Sequence, residues 1–276
     1  MGGKAGRAVR RAARILTMVA LVGFAVIPIL WLVLTSLKTR LLIFASPPVI
    51  VFTPVFDSWL RLLQPGPIQK ALLNSVATAS ATTLITMVSS SLAAYAFSRM
   101  RFRGRGALLA AILATRLLPP MNSVVVLYLL FTSFRLADTT LGLVILYTAL
   151  LLPIAIWLLR ASFDAVPREL EEAAFTDGCG RLGALWRITL PLAAPGMAVT
   201  AFLMFVLSWN EFMFAYLFTS TRATTVPVLL AKAVGEFGVD WADLTAQATV
   251  LLIPALLVSL LAQRHLISGL SAGALK

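Results

Sequence analysis

The sequence holds one cysteine, Cys179, and one histidine, His265. A lone cysteine excludes an internal disulfide, and with one histidine beside it the chain cannot assemble a cysteine-based metal site by itself. Charge is scarce as well. Asp, Glu, Lys and Arg make up 12% of the 276 residues and apolar residues 60%, a balance that does not stay in water as an ordinary soluble domain. No Gly-x-x-x-x-Gly-Lys-Ser/Thr phosphate loop and no His-Glu-x-x-His zinc pattern occurs, and a serine-hydrolase nucleophile elbow is not expected either. The expectation is a chain with no catalytic residue, no metal and no cofactor of its own, unable to hydrolyse ATP alone.

In place of charge the sequence has long apolar runs. A helix needs roughly 20 mainly apolar residues to cross a bilayer, and six stretches qualify, at about 15–37, 72–98, 106–134, 139–160, 197–220 and 244–264. The third carries Arg116 and the pair Pro119-Pro120, the fourth Pro153 and the sixth Pro254, and these prolines predict kinks. The runs are continuous rather than alternating, which favours helices over barrel strands. The expected fold is therefore all-α: one polytopic membrane domain over 1–276 with six transmembrane helices. The basic start followed by an apolar run resembles a signal peptide, but the run is too long and lacks a convincing small-residue cleavage site, so it is expected to stay as span one.

Basic residues mark the sides. Lys4, Arg7, Arg10, Arg11 and Arg14 precede span one, Arg99, Arg101, Arg103 and Arg105 follow span two, Arg160, Arg168, Arg181 and Arg187 follow span four, and Arg264 and Lys276 stand at the end. The opposite ends carry fewer, at Lys38, Arg40, Arg61, Lys70, Arg135, Arg222 and Lys232. The positive-inside rule then places both termini in the cytoplasm. The net charge of +12 is explained by this bias and by lipid headgroups, and nucleic acid is not an expected partner.

One loop differs in composition from everything around it: residues 164–196, between spans four and five. Pro167 suits the first turn of a short helix, Glu169, Glu171 and Glu172 sit near its positive end, and Gly178 suits a left-handed stop. A second short amphipathic helix over Arg181–Ile188 is expected to follow, broken by Leu190-Pro191. Two small helices at about a right angle on the cytoplasmic side form a knob able to dock in another protein's groove. By composition alone, a charged helix lying on the membrane surface is an equal alternative.

Glu172-Ala173-Ala174, then Asp177 and Gly178, then Ile188 and Leu190-Pro191 resemble the EAA signature of bacterial ABC-importer permeases, with Cys179 where that family often carries another small residue. From about Ala71 onward the chain is similar to the carbohydrate branch of the family, of maltose and trehalose type. Arg99 with Arg103, Leu136-Ala137-Asp138-Thr139, Trp209-Asn210-Glu211-Phe212 and the ending Gly269–Ala274 carry that likeness. The resemblance implies a permease subunit in a bacterial inner membrane, paired with a second permease. Two ATPase subunits, which bind the ATP and Mg, hold the EAA loop in a cleft, and an extracellular or periplasmic binding protein delivers the solute. In that family, closure of the ATPases turns the permease pair from inward-facing to outward-facing. The implied cargo is a di- or oligosaccharide; a phosphate ester, an amino acid or a metal ion fits the same architecture.

Ionisable groups within spans are costly and face a bundle interior or a cavity. Arg116 and Glu211 qualify, either as an ion pair between spans three and five, or a contact to the partner permease, or as a solute path. In the latter case Trp209 supplies a stacking face, while Asn210 and Glu211 hydrogen-bond sugar hydroxyls. An ion-coupled secondary transporter using Arg116 and Glu211 as a relay is the rival class, against which the lack of an inverted repeat argues. The Ser and Thr residues of span two are read as close helix packing.

Overall fold

The computed structural model describes residues 2–117, 120–233 and 239–274, and the described residues form helices and connecting turns. In chain order these are α1 (Gly2–Thr35), α2 (Arg40–Ile43), α3 (Asp57–Leu63), α4 (Pro67–Arg99) and α5 (Arg105–Ala114). Two 3-10 turns, Thr115–Leu117 and Pro120–Ser123, lead to α6 (Val124–Ser133) and α7 (Thr140–Asp164). There follow α8 (Arg168–Thr176), α9 (Arg181–Ala184), a π turn (Leu185–Thr189), α10 (Leu190–Leu192) and α11 (Ala194–Trp209). The last elements are α12 (Met213–Phe218), α13 (Val226–Lys232) and α14 (Trp241–Ala274).

Two compact units are distinguished, one of Met1–Gln69 with Leu230–Ile253 and the other of Lys70–Leu229 with Pro254–Lys276. In the first, α1 carries no charge from Ile15 to its end and its most apolar window has no buried residue, as expected of a segment that meets lipid all round. Just beyond its end the buried Lys38 lays its ammonium 4.6 Å from the ring of Trp31 and 5.1 Å from that of Phe52, so aromatic faces compensate a cation taken out of water. Arg61 forks onto Asp243.

The second unit is built around α7. Thr139 caps it, accepting the Gly142 N–H at 3.0 Å, and half of its most apolar window is buried. At its start Leu143 and Tyr147 pack with Phe131, Phe214 and Phe218. Near its far end Leu159 and Phe163 pack with Ala94, Tyr95 and Leu185, and Ile156 packs with Phe97 and Leu109. Polar ties agree: Asn74, early in α4, donates to the carbonyls of Arg222 and Thr224, near the start of α7, whereas Ser98 at the end of α4 donates to Asp164 at the end of α7 at 2.6 Å. Helices α4 and α7 therefore run in the same direction, and the chain from α5 to α6 travels back between them.

That return is not one helix. The expected third span breaks between α5 and α6, with Pro119 outside the described residues; the proline at 120 removes a backbone donor where the chain leaves the α conformation. The fifth expected span is interrupted too, at Asn210–Phe212 between α11 and α12. Among the described residues four helices are long and apolar enough to cross a membrane, and five if the bent pair Arg181–Leu192 and Ala194–Trp209 is one span. Leu190-Pro191 does not break the second loop helix as expected. Pro191 lies in a first turn, where its missing N–H leaves no helical bond unmade, and the chain turns by 82° only after Leu192. One expected absence also needs correcting: Gly269-Leu270-Ser271-Ala272-Gly273 spells Gly-x-Ser-x-Gly. These residues lie within the continuous helix α14, not on the sharp strand-to-helix turn that exposes a nucleophile.

Close approach of α7 and α11 rests on Gly196, where a Cβ would stand 2.2 Å from Ser162 Oγ and 2.8 Å from Ser162 Cβ. Gly196→Ala is expected to destabilise the protein by about 1–3 kcal/mol, read as a lower melting temperature of the purified protein in detergent; an unchanged value would mean the two helices do not meet this closely.

Candidate functional site

The loop between α7 and α11 is where polar chemistry concentrates. Helix α8 starts after Pro167 and carries Glu169 and Glu171 in its first turn, where the helix dipole favours negative charge. It ends in a Schellman arrangement: the Gly178 N–H donates to Phe175 O at 3.1 Å and the Cys179 N–H to Ala174 O at 2.9 Å. Gly178 takes φ +83° with nothing within 4 Å of a would-be Cβ, so glycine is required there by backbone conformation and not by crowding.

Two adjacent glutamates of α8 have opposite fates. Glu171 is 3% exposed. Its carboxylate accepts Arg99 Nε at 2.7 Å, the Thr189 hydroxyl at 2.6 Å and the Tyr95 hydroxyl at 3.1 Å. Arg99 also donates through Nη2 to Val166 O at 2.8 Å, and Arg168 donates to Ser98 O at 3.1 Å, so the loop is tied to the end of α4. Glu172 is exposed, as are Ala173, Asp177, Gly178 and Pro191, while Ala174, Ile188 and Leu190 are half-buried. A cleft of about 150 Å³ lies between Tyr95, Arg99, Arg168, Glu171, Glu172 and Phe175. Around the exposed residues stand large apolar side chains, Phe175 at 42%, Leu182 at 65% and Trp186 at 66% exposure.

The candidate pathway residues fall at two helix breaks. Trp209 ends α11, is 2% exposed and stacks on Phe205 with centroids 5.8 Å apart and planes 13° apart. Asn210 is exposed and donates Nδ2 to Val206 O at 2.9 Å. Glu211 accepts the N–H groups of Phe214 and Ala215 at 3.0 and 3.1 Å, which satisfies two of the donors that the start of α12 leaves open. Arg116 donates to Leu150 O at 2.8 Å, three residues before Pro153. Arg116 and Glu211 thus find backbone partners, and no ion pair between them occurs among the described contacts.

Sequence reasoning missed two polar centres. Glu171 was read only as a dipole charge, and its partner Arg99 is 72 residues away. Asp138, in the αL conformation at φ +52°, gathers the turn after α12: its carboxylate accepts the N–H groups of Ser220, Thr221, Arg222 and Ala223 and the Ser220 hydroxyl. Burial pushes its pKa up, but the hydrogen bonds from Ser220, Arg222 and Ala223 outweigh that and hold it well below the usual carboxylate range.

A lowered folded-state pKa gives stability that is present above the unfolded value, near 4, and lost as pH falls through the folded one. Asp138→Asn is expected to lose about 1.5–3 kcal/mol at pH 7. The gap in melting temperature between wild type and Asp138→Asn is expected to stay constant from pH 7 to about pH 5 and to close only in stronger acid; a gap that closes near neutrality would contradict the assignment.

These features define a multi-pass helical membrane protein with a polar loop, 164–196, between two of its apolar helices. A family model described as the inner membrane component of binding-protein-dependent transport systems matches residues 86–271, and the chain belongs to that family. The trehalose/maltose transport system permease protein MalG of Thermococcus litoralis is 36% identical over 270 residues, covering 95% of this chain and 97% of that protein. The sulfoquinovosyl glycerol transport system permease protein SmoH of Agrobacterium fabrum is 34% identical over 251 residues, covering 90% and 88%. The fold is that of a solved bacterial ABC transporter involved in import of the acidic polysaccharide alginate, with a TM-score of 0.80 at 20% identity over 96% of this chain and 98% of that one.

Proposed function

We propose that this chain is one permease subunit of an ATP-binding-cassette importer that carries a sugar, a di- or oligosaccharide, across a bacterial plasma membrane. The named relatives that transport trehalose, maltose and a sulfoquinovosyl glycerol support the cargo class, and a similarly folded alginate transporter was solved with a periplasmic protein holding an alginate pentasaccharide. A binding protein outside, a second permease and two ATPases that bind ATP and Mg complete the assembly. This chain supplies a half-channel and one docking knob.

The observation that carries this reading is the outer face of the loop. Glu172, Ala173, Asp177 and Gly178 are exposed beside Phe175, Leu182 and Trp186, and exposed apolar surface of that kind on a charged loop suits a protein partner. The basic residues Arg99, Arg101, Arg103, Arg105, Arg160, Arg168, Arg181 and Arg187 cluster about the same end and favour a cytoplasmic position for it. Counting the broken α5–α6 return and the α11–α12 pair as one crossing each supports six crossings with both termini inside. The solute path is assigned to the breaks bearing Arg116, Trp209, Asn210 and Glu211, where backbone and side-chain polar groups stand within apolar helices.

Gly178→Asp tests the docking role. Open space at the Cβ position leaves only backbone strain of about 1–2 kcal/mol within the chain, so the variant is expected to insert and fold while uptake by the reconstituted importer drops to background. Wild-type uptake would overturn the reading. Glu211→Ala is expected to lower uptake at least about five-fold, the size of a modest coupling loss, while ATPase subunits still co-purify; loss of the ATPases would place Glu211 in docking instead.

A further inference from the structure

Resting on the proposed function, we infer that Arg99 and Glu171 form the positioning joint by which the coupling loop moves α4. Loop movement reaches α7 and α11 directly, because the loop is continuous with both. Helix α4 has no such continuity; what joins it to the loop are apolar contacts, the hydrogen bonds of Ser98 with Asp164 and Arg168, and this buried pair. Apolar contacts such as those of Ala94 and Tyr95 with Phe163 and Leu185 hold surfaces together but permit small sliding motions. A guanidinium fork does not slide.

The pair is built for direction. Arg99 and Glu171 side chains are 9% and 4% exposed, and one carboxylate collects α4 through Arg99 and Tyr95, and the π turn through Thr189. Arg99 simultaneously holds Val166 O, in the lead-in to α8. Replacing both members of such a pair by apolar residues is often neutral or stabilising, so overall stability does not account for it. Orientation does: successive residues on a helix project about 100° apart, and fixing Glu171 inward fixes the outward aim of Glu172, Ala173 and Asp177. Arg99 and Glu171 thus position the docking face and transmit its displacement to α4, without touching ATP or solute.

The test uses the whole importer in liposomes, with its ATPases and binding protein, and reads solute moved per ATP hydrolysed. The double variant Arg99→Met with Glu171→Leu is expected to assemble, melt close to wild type and hydrolyse ATP, while the transport ratio falls at least about five-fold. Arg99→Lys, which keeps the charge without the fork, is expected to fall in between. Should the double variant fail to assemble, Thr189→Val and Tyr95→Phe, which remove only the hydroxyl arms, carry the test with a smaller fall of about two-fold in the same ratio. An unchanged ratio in the assembled double variant, or in Thr189→Val and Tyr95→Phe together, overturns the joint. A Gly178→Asp complex that transports normally would instead overturn the docking reading beneath it, so the two failures are distinguishable.

Discussion

Hydrocarbon offers no hydrogen bonds, and every interruption of a helix in it needs a partner found within the protein. The second unit meets this constraint at three places among its described residues. Where α11 stops, Glu211 turns its carboxylate onto the first N–H groups of α12. Proline at 153 weakens the ladder around the carbonyls before it, and the guanidinium of Arg116 lies on Leu150 O. Thr139 serves the start of α7 in the same way. The charged residues of the apolar segments are therefore backbone partners first, and any solute that they bind competes with helix termini for the same atoms.

Fastening is strongest at the two ends of α4 and α7. At one end Asp138 and Asn74 both hold the 219–226 turn, and Ser75 takes the N–H of Val226. At the other, Arg99, Glu171, Ser98 and Asp164 hold the 164–196 loop. Between them α4 buries small residues, Thr78, Ala79, Thr82, Thr86 and Ser90, which permit close approach.

The sequence was legible wherever the cause is local. Apolar runs announced the long helices, and Gly178 announced its own turn because few other residues adopt that φ. Pro191 misled because a proline tolerated in a first turn and a proline that breaks a helix look alike until the neighbouring turns are known. The contrast between Glu171 and Glu172 was illegible: adjacent identical residues differ only in which of them meets Arg99, and that meeting depends on how α4 and α8 pack. Asp138 was hidden for the same reason, its partners lying over 80 residues away. The break between α5 and α6 was half visible, its proline pair predicting a kink within a continuous span, whereas at Asn210–Phe212 only the charge of Glu211 marked the place, inside a span expected to be unbroken.

Placement of Trp209 bears on how a sugar would pass. Its ring lies against Phe205 and is almost wholly buried, so in this arrangement it cannot offer a free face to a pyranose. The aromatic rings that stand open beside Asn210 and Glu211 are Phe212 and Tyr216, 40% and 50% exposed with centroids 5.4 Å apart. For Trp209 to stack on a sugar, α11 would first have to shift enough to separate its ring from Phe205. Helix α11 leaves the 164–196 loop through the 82° bend, at the end opposite Trp209. Trp209 and the 164–196 loop thus stand at opposite ends of one helix, α11.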